Sequence, residues 1–148
     1  MLKQTTLELK EKIECYDRTW KAAHSSNRTS EIALMVHTFI GSSIDEVYEI
    51  VTEPVRNYLN SSMHLWSQAS DSLKKLNESE QKKVLDFACH RYIKKSGLFE
   101  DEAGCLEKIK EYQAIGVDEI ACLIDFGVDE RNVMTSLQRL ARIISKTK

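Results

Sequence analysis

The sequence contains little of what usually interrupts regular secondary structure, with one proline and five glycines among 148 residues. It also lacks an excess of either charge, since 21 basic residues stand against 23 acidic ones and the formal net charge is −2. Domains that bind a nucleic-acid backbone usually carry a strongly basic surface. The balanced charge therefore argues against nucleic acid as a partner, and the length predicts a single domain over residues 1–148.

Long apolar runs are also absent. No stretch approaches the roughly 20 apolar residues that are needed to span a bilayer. The opening residues, MLKQTTLELKEK, carry charges where a signal peptide requires an apolar segment. We therefore expect a cytoplasmic protein without membrane contact, and we expect the basic residues 146–148 to form a flexible tail.

Several chemical motifs are missing as well. The chain has no glycine-rich dinucleotide fingerprint, no phosphate-binding loop and no GxSxG nucleophile elbow. Its cysteines and histidines follow none of the usual zinc spacings, and no CxxC pair occurs. In a reducing compartment the cysteines are most simply small buried apolar residues. They are Cys15, Cys89, Cys105 and Cys122.

The chain does contain an alternation of helical and strand patterns. Residues 32–40 (IALMVHTFI) are almost continuously apolar, which is typical of a strand covered on both faces. A second strand is predicted at about residues 118–125, and Leu98-Phe99 is too short to be predicted as a strand. Because long helices separate strands that have no hairpin partner, the pattern favours parallel pairing and an α/β fold.

Local signals predict where the helices begin and bend. Capping boxes, in which a polar side chain and a Glu three residues later bond each other's backbone, occur at Thr5, Ser43 and Asn77. Pro54 lies inside the second helical stripe and predicts a kink or a break near Thr52 or Glu53. The predicted order is helix, strand, three helices, strand and helix.

Four stretches carry a resemblance to a known family. They are residues 34–41 (LMVHTFIG), 53–59 (EPVRNYL), 96–99 (SGLF) and 114–128 (AIGVDEIACLIDFGV). In this order they resemble the closing part of luciferase-like monooxygenases. The most similar subgroup is the one found in natural-product biosynthesis clusters, often beside or within peptide and polyketide synthases. The resemblance extends over nearly the whole chain.

This resemblance implies a (β/α)8 barrel that binds reduced FMN and inserts oxygen into a secondary-metabolite substrate. Such a barrel needs roughly 250 residues, so this chain would contain about half of one. The expected fold is therefore a partial, helix-rich (β/α)8 TIM barrel with two clear parallel strands, at about residues 32–40 and 118–125. The upstream strands, which in the family supply much of the flavin phosphate site, would have to come from another polypeptide.

Under this resemblance three residues are candidate cofactor contacts. Active sites of such barrels lie at the carboxyl ends of the strands. Strand alternation directs Met35, His37 and Phe39 to the barrel interior and Leu34 and Val36 to the helices. In the last strand it directs the following residues to the interior: Ala121, Leu123 and Asp125.

His37 and Asp125 would then hydrogen-bond the flavin ring or the substrate, and Phe126 would pack on the ring. A structural role stays open for each of the three. His37 can be a hydrogen-bonded core histidine, Asp125 can cap the turn before the last helix, and Phe126 can be an ordinary core aromatic.

Three functions remain open at this point. The chain is a C-terminal part of a flavin-dependent monooxygenase, a non-catalytic binding or structural module, or an inactive truncated product. An incomplete barrel exposes sheet edges and an apolar inner face, which favours pairing with another chain. We therefore expect self-association or binding to a complementary N-terminal barrel half, and weak or no FMN binding by the chain alone.

Overall fold

The computed structural model describes residues 5–24, 31–69 and 77–146. No helix in these ranges is long and apolar enough to cross a bilayer. The tail expected at residues 146–148 lies outside them except for its first residue, which ends the last helix. In chain order the elements are α1 (Thr6–Ala23), β1 (Ala33–Ile40), α2 (Ile44–Ala69), α3 (Glu78–Lys95), β2 (Leu98–Glu100), α4 (Glu102–Ala114), β3 (Glu119–Leu123) and α5 (Glu130–Lys146).

Two of the predicted capping boxes are complete in the structure. At the start of α1 the Thr5 hydroxyl accepts from the Glu8 N–H at 3.3 Å, and the Glu8 carboxylate accepts from the Thr5 N–H at 2.7 Å. Asn77 and Glu80 form the same reciprocal pair at the start of α3. Each box satisfies backbone N–H groups that have no partner within the helix, and this explains why both helices begin where they do.

Helix α2 continues through Pro54. Of the two predicted outcomes, a kink or a break, the break is wrong, because the helix runs without interruption from Ile44 to Ala69. A proline inside a helix removes one backbone hydrogen bond, but Val51 and Val55 are buried on either side of the position. The packing of this apolar stripe therefore holds α2 together across the missing bond.

The three strands form one parallel sheet in the order β2-β1-β3. β1 and β3 pair from Ala33 opposite Glu119 to His37 opposite Leu123, while the carboxyl end of β1 pairs with β2. The α/β class and both predicted parallel strands are confirmed. β3 ends at Leu123, short of the predicted residue 125. β2 is not predicted from the sequence because three residues are too few to show a strand period.

Helices cover both faces of this sheet. One face carries Phe39 and Phe99, which pack with the buried stripes of α2 and α3. Helix α1 packs near the amino ends of β1 and β3. The second face packs against α4 and α5 through a separate cluster of buried side chains: Val36, Ile40, Leu98, Cys105 and Ile143.

The predicted alternation of side chains between the two faces of β1 is confirmed. The face that was expected to line a barrel interior is, however, partly covered by helices. Val36 belongs to the cluster on the α4 and α5 side, and Phe39 belongs to the cluster on the opposite side. His37 and Phe39, which were expected to line a barrel interior, are covered by α2 and α3 of the same chain. Met35 on the same face is 66% exposed. The covering helices therefore shield the carboxyl half of this face and leave its amino half accessible.

The cysteines follow the sequence prediction only in part. All four are free thiols. Cys89 and Cys105 are buried, Cys122 is half-buried, and Cys15 is exposed on α1, where the prediction of a buried residue is wrong. The prediction rested on the usual burial of free cysteine, whereas α1 contacts the rest of the described chain only along a narrow stripe around Ile13.

Candidate functional site

His37 lies on the central strand β1, opposite Leu123 of β3. Its side chain is only 6% exposed. The imidazole Nδ1 is 2.5 Å from the hydroxyl of Tyr92, which projects from α3. This hydrogen bond is buried at both ends, so it satisfies two polar groups that would otherwise be costly to remove from water.

Three aromatic rings surround the imidazole. The ring centroid of Tyr58, on α2, lies 4.5 Å from that of His37 with the planes at 69°. The corresponding distances are 5.3 Å for Phe126, which follows β3, and 5.8 Å for Tyr92. All three contacts are edge-to-face, the arrangement that the aromatic quadrupole favours. His37 thus joins the sheet, α2, α3 and the loop after β3 in one cluster.

Asp125 adds a charge next to this cluster. It lies in the exposed loop between β3 and α5. Burial lowers the pKa of His37 below 6.5, and the nearby Asp125 carboxylate opposes that shift. The cap of α5 is Asp129, whose carboxylate accepts from the Asn132 N–H at 3.1 Å. The structural role considered for Asp125, capping the turn before the last helix, is a different one and stays open.

The hydroxyl of Tyr92 remains protonated throughout the physiological range. Burial raises the pKa of Tyr92 to about 12, with smaller contributions from Tyr58 and Tyr112. A protonated phenol can donate a hydrogen bond to an unprotonated imidazole nitrogen. Tyr92 is consequently suited to hold a neutral His37.

Backbone geometry places the loop after β3 against α2. Gly127 adopts a φ of +101°, a conformation that favours glycine. A Cβ at this position would lie 3.8 Å from Pro54 Cβ. The turn directs Phe126 back under the sheet, where it is 5% exposed and contacts Phe99 at a centroid distance of 5.5 Å.

A second polar network closes the carboxyl end of β1 on its α5 side. Ser136 accepts a hydrogen bond from the Ile40 N–H at 2.7 Å, and Arg139 donates to the Ile40 carbonyl at 3.1 Å. Arg139 also lies 3.3 Å from Glu46, whose carboxylate accepts from the Ser42 hydroxyl at 2.6 Å. These groups bond one another, so we assign them to the attachment of α5 and α2 to the sheet.

The structure therefore brings together all three residues singled out from the sequence. His37 lies opposite Leu123, the last residue of β3, and Phe126 contacts it from the loop that follows β3 and contains Asp125. We call His37, Asp125 and Phe126 the rim residues. No sequence signal indicated Tyr58 and Tyr92, which complete the cluster, because both lie on apolar helical stripes that are typical of ordinary packing. No group of three or more histidine, cysteine or acidic side chains that could bind a metal occurs in the part of the chain described.

The cluster does not by itself form a pocket for a flavin ring. His37 is enclosed by three rings, and an isoalloxazine cannot reach it while those rings stay in place. Cavities among the described residues lie beside the cluster or away from it. One of about 90 Å³ is lined by Met35, Tyr92 and Lys95 among others, and one of about 340 Å³ lies between the start of α1, the end of α3 and α4. A further one of about 750 Å³ lies at the start of α5, between Asp129 and Met134.

Comparison with known proteins leaves the family unassigned. No family model matches the chain, and no curated protein matches it at a significant level. The resemblance to luciferase-like monooxygenases therefore depends on the four sequence stretches alone.

Proposed function

We propose that this chain is the C-terminal part of a flavin-dependent, luciferase-like monooxygenase that works with a complementary N-terminal barrel half. One observation carries the proposal: His37 on β1 lies opposite Leu123, the last residue of β3, and contacts Phe126 in the loop after β3, which also contains Asp125. Barrel enzymes build their active sites at that end of the strands. The substrate class would be a secondary metabolite, handled in the cytoplasm and in the context of peptide or polyketide synthases.

The strand order sets a condition on this proposal. In a (β/α)8 barrel each strand pairs with the next one in the chain, whereas β1 pairs with β3 and β2 lies on the other side of β1. β1 and β3 would therefore be consecutive barrel strands, and the segment from α2 to α4 would be their connection. A complementary half would add its strands at the free edge of β3 and would displace the three residues of β2.

FMN would supply the oxygen-activating chemistry in such an assembly. Because the rim residues do not form a flavin pocket in the chain alone, no catalytic step is assigned to them. Their proposed contribution is limited to contact with the ring, through Phe126 and through hydrogen bonds that involve His37 and the accepting carboxylate of Asp125. The chain alone is expected to bind FMN weakly or not at all.

A second candidate function is a non-catalytic binding or structural module. The specific observation in its favour is that His37 already has a buried hydrogen-bond partner in Tyr92 and is only 6% exposed. A buried histidine with such a hydrogen bond contributes to the packing of the core without any ligand. The two candidate functions differ in whether a flavin binds at the rim residues.

The deciding experiment is co-expression of the chain with the polypeptide encoded directly upstream of Met1. FMN fluorescence is then titrated with the purified complex. We expect quenching at low micromolar protein, weakened by Asp125→Asn and unaffected by the control Asp45→Asn in the first turn of α2. A complex that leaves FMN fluorescence unchanged, or an upstream sequence without barrel strands, would refute the monooxygenase and favour the non-catalytic module.

A further inference from the structure

Two adjoining cavities form a recess at the amino end of the sheet. The outer cavity has a volume of about 340 Å³ and lies between the start of α1, the end of α3 and α4. The inner cavity, of about 90 Å³, reaches the amino half of β1. The two share four wall residues, which are Thr5, Thr6, Lys95 and Tyr112. We call both cavities together the amino-end recess, and its size exceeds the roughly 300 Å³ at which pockets for small ligands begin.

The wall of the outer cavity is rich in positive charge. Lys94 and Lys95 contribute to it from the last turn of α3, and Lys108 contributes from α4. Among the described residues of this wall, Glu111 is the one that carries a carboxylate. Like charges around one space repel each other, and an anion bound between them replaces the repulsion with attraction. The charge of the outer cavity therefore suits an anionic ligand.

The three lysines differ in how they are held. The ammonium group of Lys108 lies 2.8 Å from the Glu100 carboxylate and donates to the Gly97 carbonyl at 3.1 Å, and its side chain is 17% exposed. In the described part of the chain no carboxylate pairs with Lys94 or Lys95, and both are exposed. The outer cavity thus combines one fixed ammonium group with two whose charge is not balanced by an ion pair.

The inner cavity adds apolar contacts. Its wall includes Leu9 of α1 together with Leu34 and Met35 of β1, and Ser96 lines it at the end of α3. An apolar cavity of about 150 Å³ accepts a benzene molecule. The inner cavity is smaller, so it suits a short aliphatic group rather than an aromatic ring.

We propose that the amino-end recess binds a phosphate monoester with a short aliphatic chain. The phosphate lies in the outer cavity against Lys94, Lys95 and Lys108, and the aliphatic chain enters the inner cavity. A phosphate monoester carries about two negative charges at pH 7, which matches the two lysines without an ion pair. Lysine binds phosphate as a point charge and does not require a planar, bidentate arrangement.

This site does not rest on the proposed function. Barrel enzymes place their active sites at the carboxyl ends of the strands. Lys95 and Ser96 precede β2, however, and Leu34 and Met35 lie in the amino half of β1. The amino-end recess is therefore at the other end of the sheet from the rim residues, and a ligand can occupy it whether or not the chain takes part in flavin chemistry.

The first test measures the role of the lysines. Inorganic phosphate and propyl phosphate are titrated against the full chain at constant ionic strength, and the amide NMR signals of residues 92–97 and 108–112 are followed. We expect saturable shifts, with tighter binding of propyl phosphate. Lys95→Gln should weaken the binding of both ligands about tenfold, the effect of losing one charge-assisted hydrogen bond. Lys110→Gln is the matched control, since Lys110 is exposed on α4 and does not line the recess.

Two further variants test the direction of the charge effect and the place of the chain. Glu111→Gln removes the carboxylate from the wall and should strengthen the binding of both ligands. Ser96→Leu fills part of the inner cavity, so it should weaken propyl phosphate and leave inorganic phosphate unchanged. The circular dichroism spectrum of each variant shows whether it is folded.

The outcomes separate the site from general attraction to a positive surface. Equal weakening by Lys95→Gln and Lys110→Gln, or the absence of a saturable shift, would refute the phosphate site. Equal binding of the two ligands, unaltered by Ser96→Leu, would refute the place assigned to the aliphatic chain. None of these measurements involves FMN, so the monooxygenase proposal stands or fails separately, on the complex with the upstream polypeptide.

Discussion

The imidazole Nδ1 of His37 on β1 and the hydroxyl of Tyr92 on α3, 55 positions apart in the sequence, form a 2.5 Å hydrogen bond. Both side chains are buried, so neither finds a replacement partner in water when the other is removed. The bond therefore ties the central strand to the helix that covers it. The stability of the fold and the state of the candidate site depend on the same pair.

Replacing Tyr92 with Phe should destabilise the protein measurably. The variant keeps the ring contacts with Phe99 but leaves Nδ1 of His37 buried without a partner, a loss that costs about 1–3 kcal/mol. Urea denaturation followed by circular dichroism measures the change in the free energy of unfolding. Tyr16→Phe removes an exposed hydroxyl and should cost less than about 0.5 kcal/mol. Equal effects of the two substitutions would contradict the assigned bond.

The stability of the fold should fall as the pH drops below the ordinary pKa of histidine. Because burial lowers the pKa of His37 in the folded state, the unfolded chain binds the proton more readily. The contribution of His37 is complete above pH 6.5 and declines below it, with a slope of at most about 1.4 kcal/mol per pH unit. The free energy of unfolding, measured between about pH 7.5 and pH 5, tests this.

The substitution His37→Gln tests whether His37 causes this pH dependence of stability. It should flatten the pH dependence in this window, even though it lowers the stability at every pH. Glu8 and Glu46 do not interfere, since hydrogen bonds from Thr5 and Ser42 lower the pKa of these carboxyls below 4.5 and their contributions are lost only under more acidic conditions. A slope that persists in the variant would mean that another group is responsible.

Two arginines on α5 should differ in their importance. Arg139 is 15% exposed, donates to the Ile40 carbonyl and pairs with Glu46, so Arg139→Met should cost about 1–3 kcal/mol. Arg142 pairs with Glu102 at 2.7 Å but is 57% exposed, and Arg142→Met should cost less than about 1 kcal/mol. Thermal and urea unfolding of both variants give the comparison. A larger loss for Arg142→Met would be evidence against this role for Arg139.

The isolated chain should self-associate through the uncovered part of the sheet. β3 forms an edge of the sheet in the described residues, and Met35 and Ala121 lie opposite each other on its exposed face. Such edges tend to pair with other chains. Sedimentation velocity should show species larger than a monomer, shifted toward the monomer by Met35→Lys. Phe87→Lys on α3 is the control, since Phe87 is 68% exposed and Met35 is 66% exposed. A monomer that melts cooperatively would contradict the prediction.

The elements themselves could be predicted because their signals are local. The apolar run at residues 32–40 and the capping boxes at Thr5 and Asn77 each depend on neighbours within a few residues, and each corresponds to an observed element. β2 escaped prediction because its three residues carry no period. The break predicted at Pro54 does not occur. A proline is a local signal, whereas the packing that keeps α2 continuous involves residues far away in the sequence.

The candidate site was predicted only in outline. Alternation along β1 and the position of Asp125 after β3 suffice to bring His37, Asp125 and Phe126 to one end of the sheet. Whether His37 is accessible at that end of the sheet depends on Tyr58 and Tyr92, which lie on α2 and α3. Their positions follow from how these helices pack, and a helical stripe does not indicate which strand residue it will meet.

By itself the sequence determined the class of the fold, the parallel pairing of two strands and the face on which His37 lies, because periodicity and capping act over a few residues. Only the tertiary structure decided that β2 joins the sheet beside β1, and that His37 is buried against Tyr92 and covered by Tyr58. These outcomes depend on contacts between elements far apart in the chain, and the energy of such contacts is set by the complementary shapes of surfaces that form only when the helices pack on the sheet.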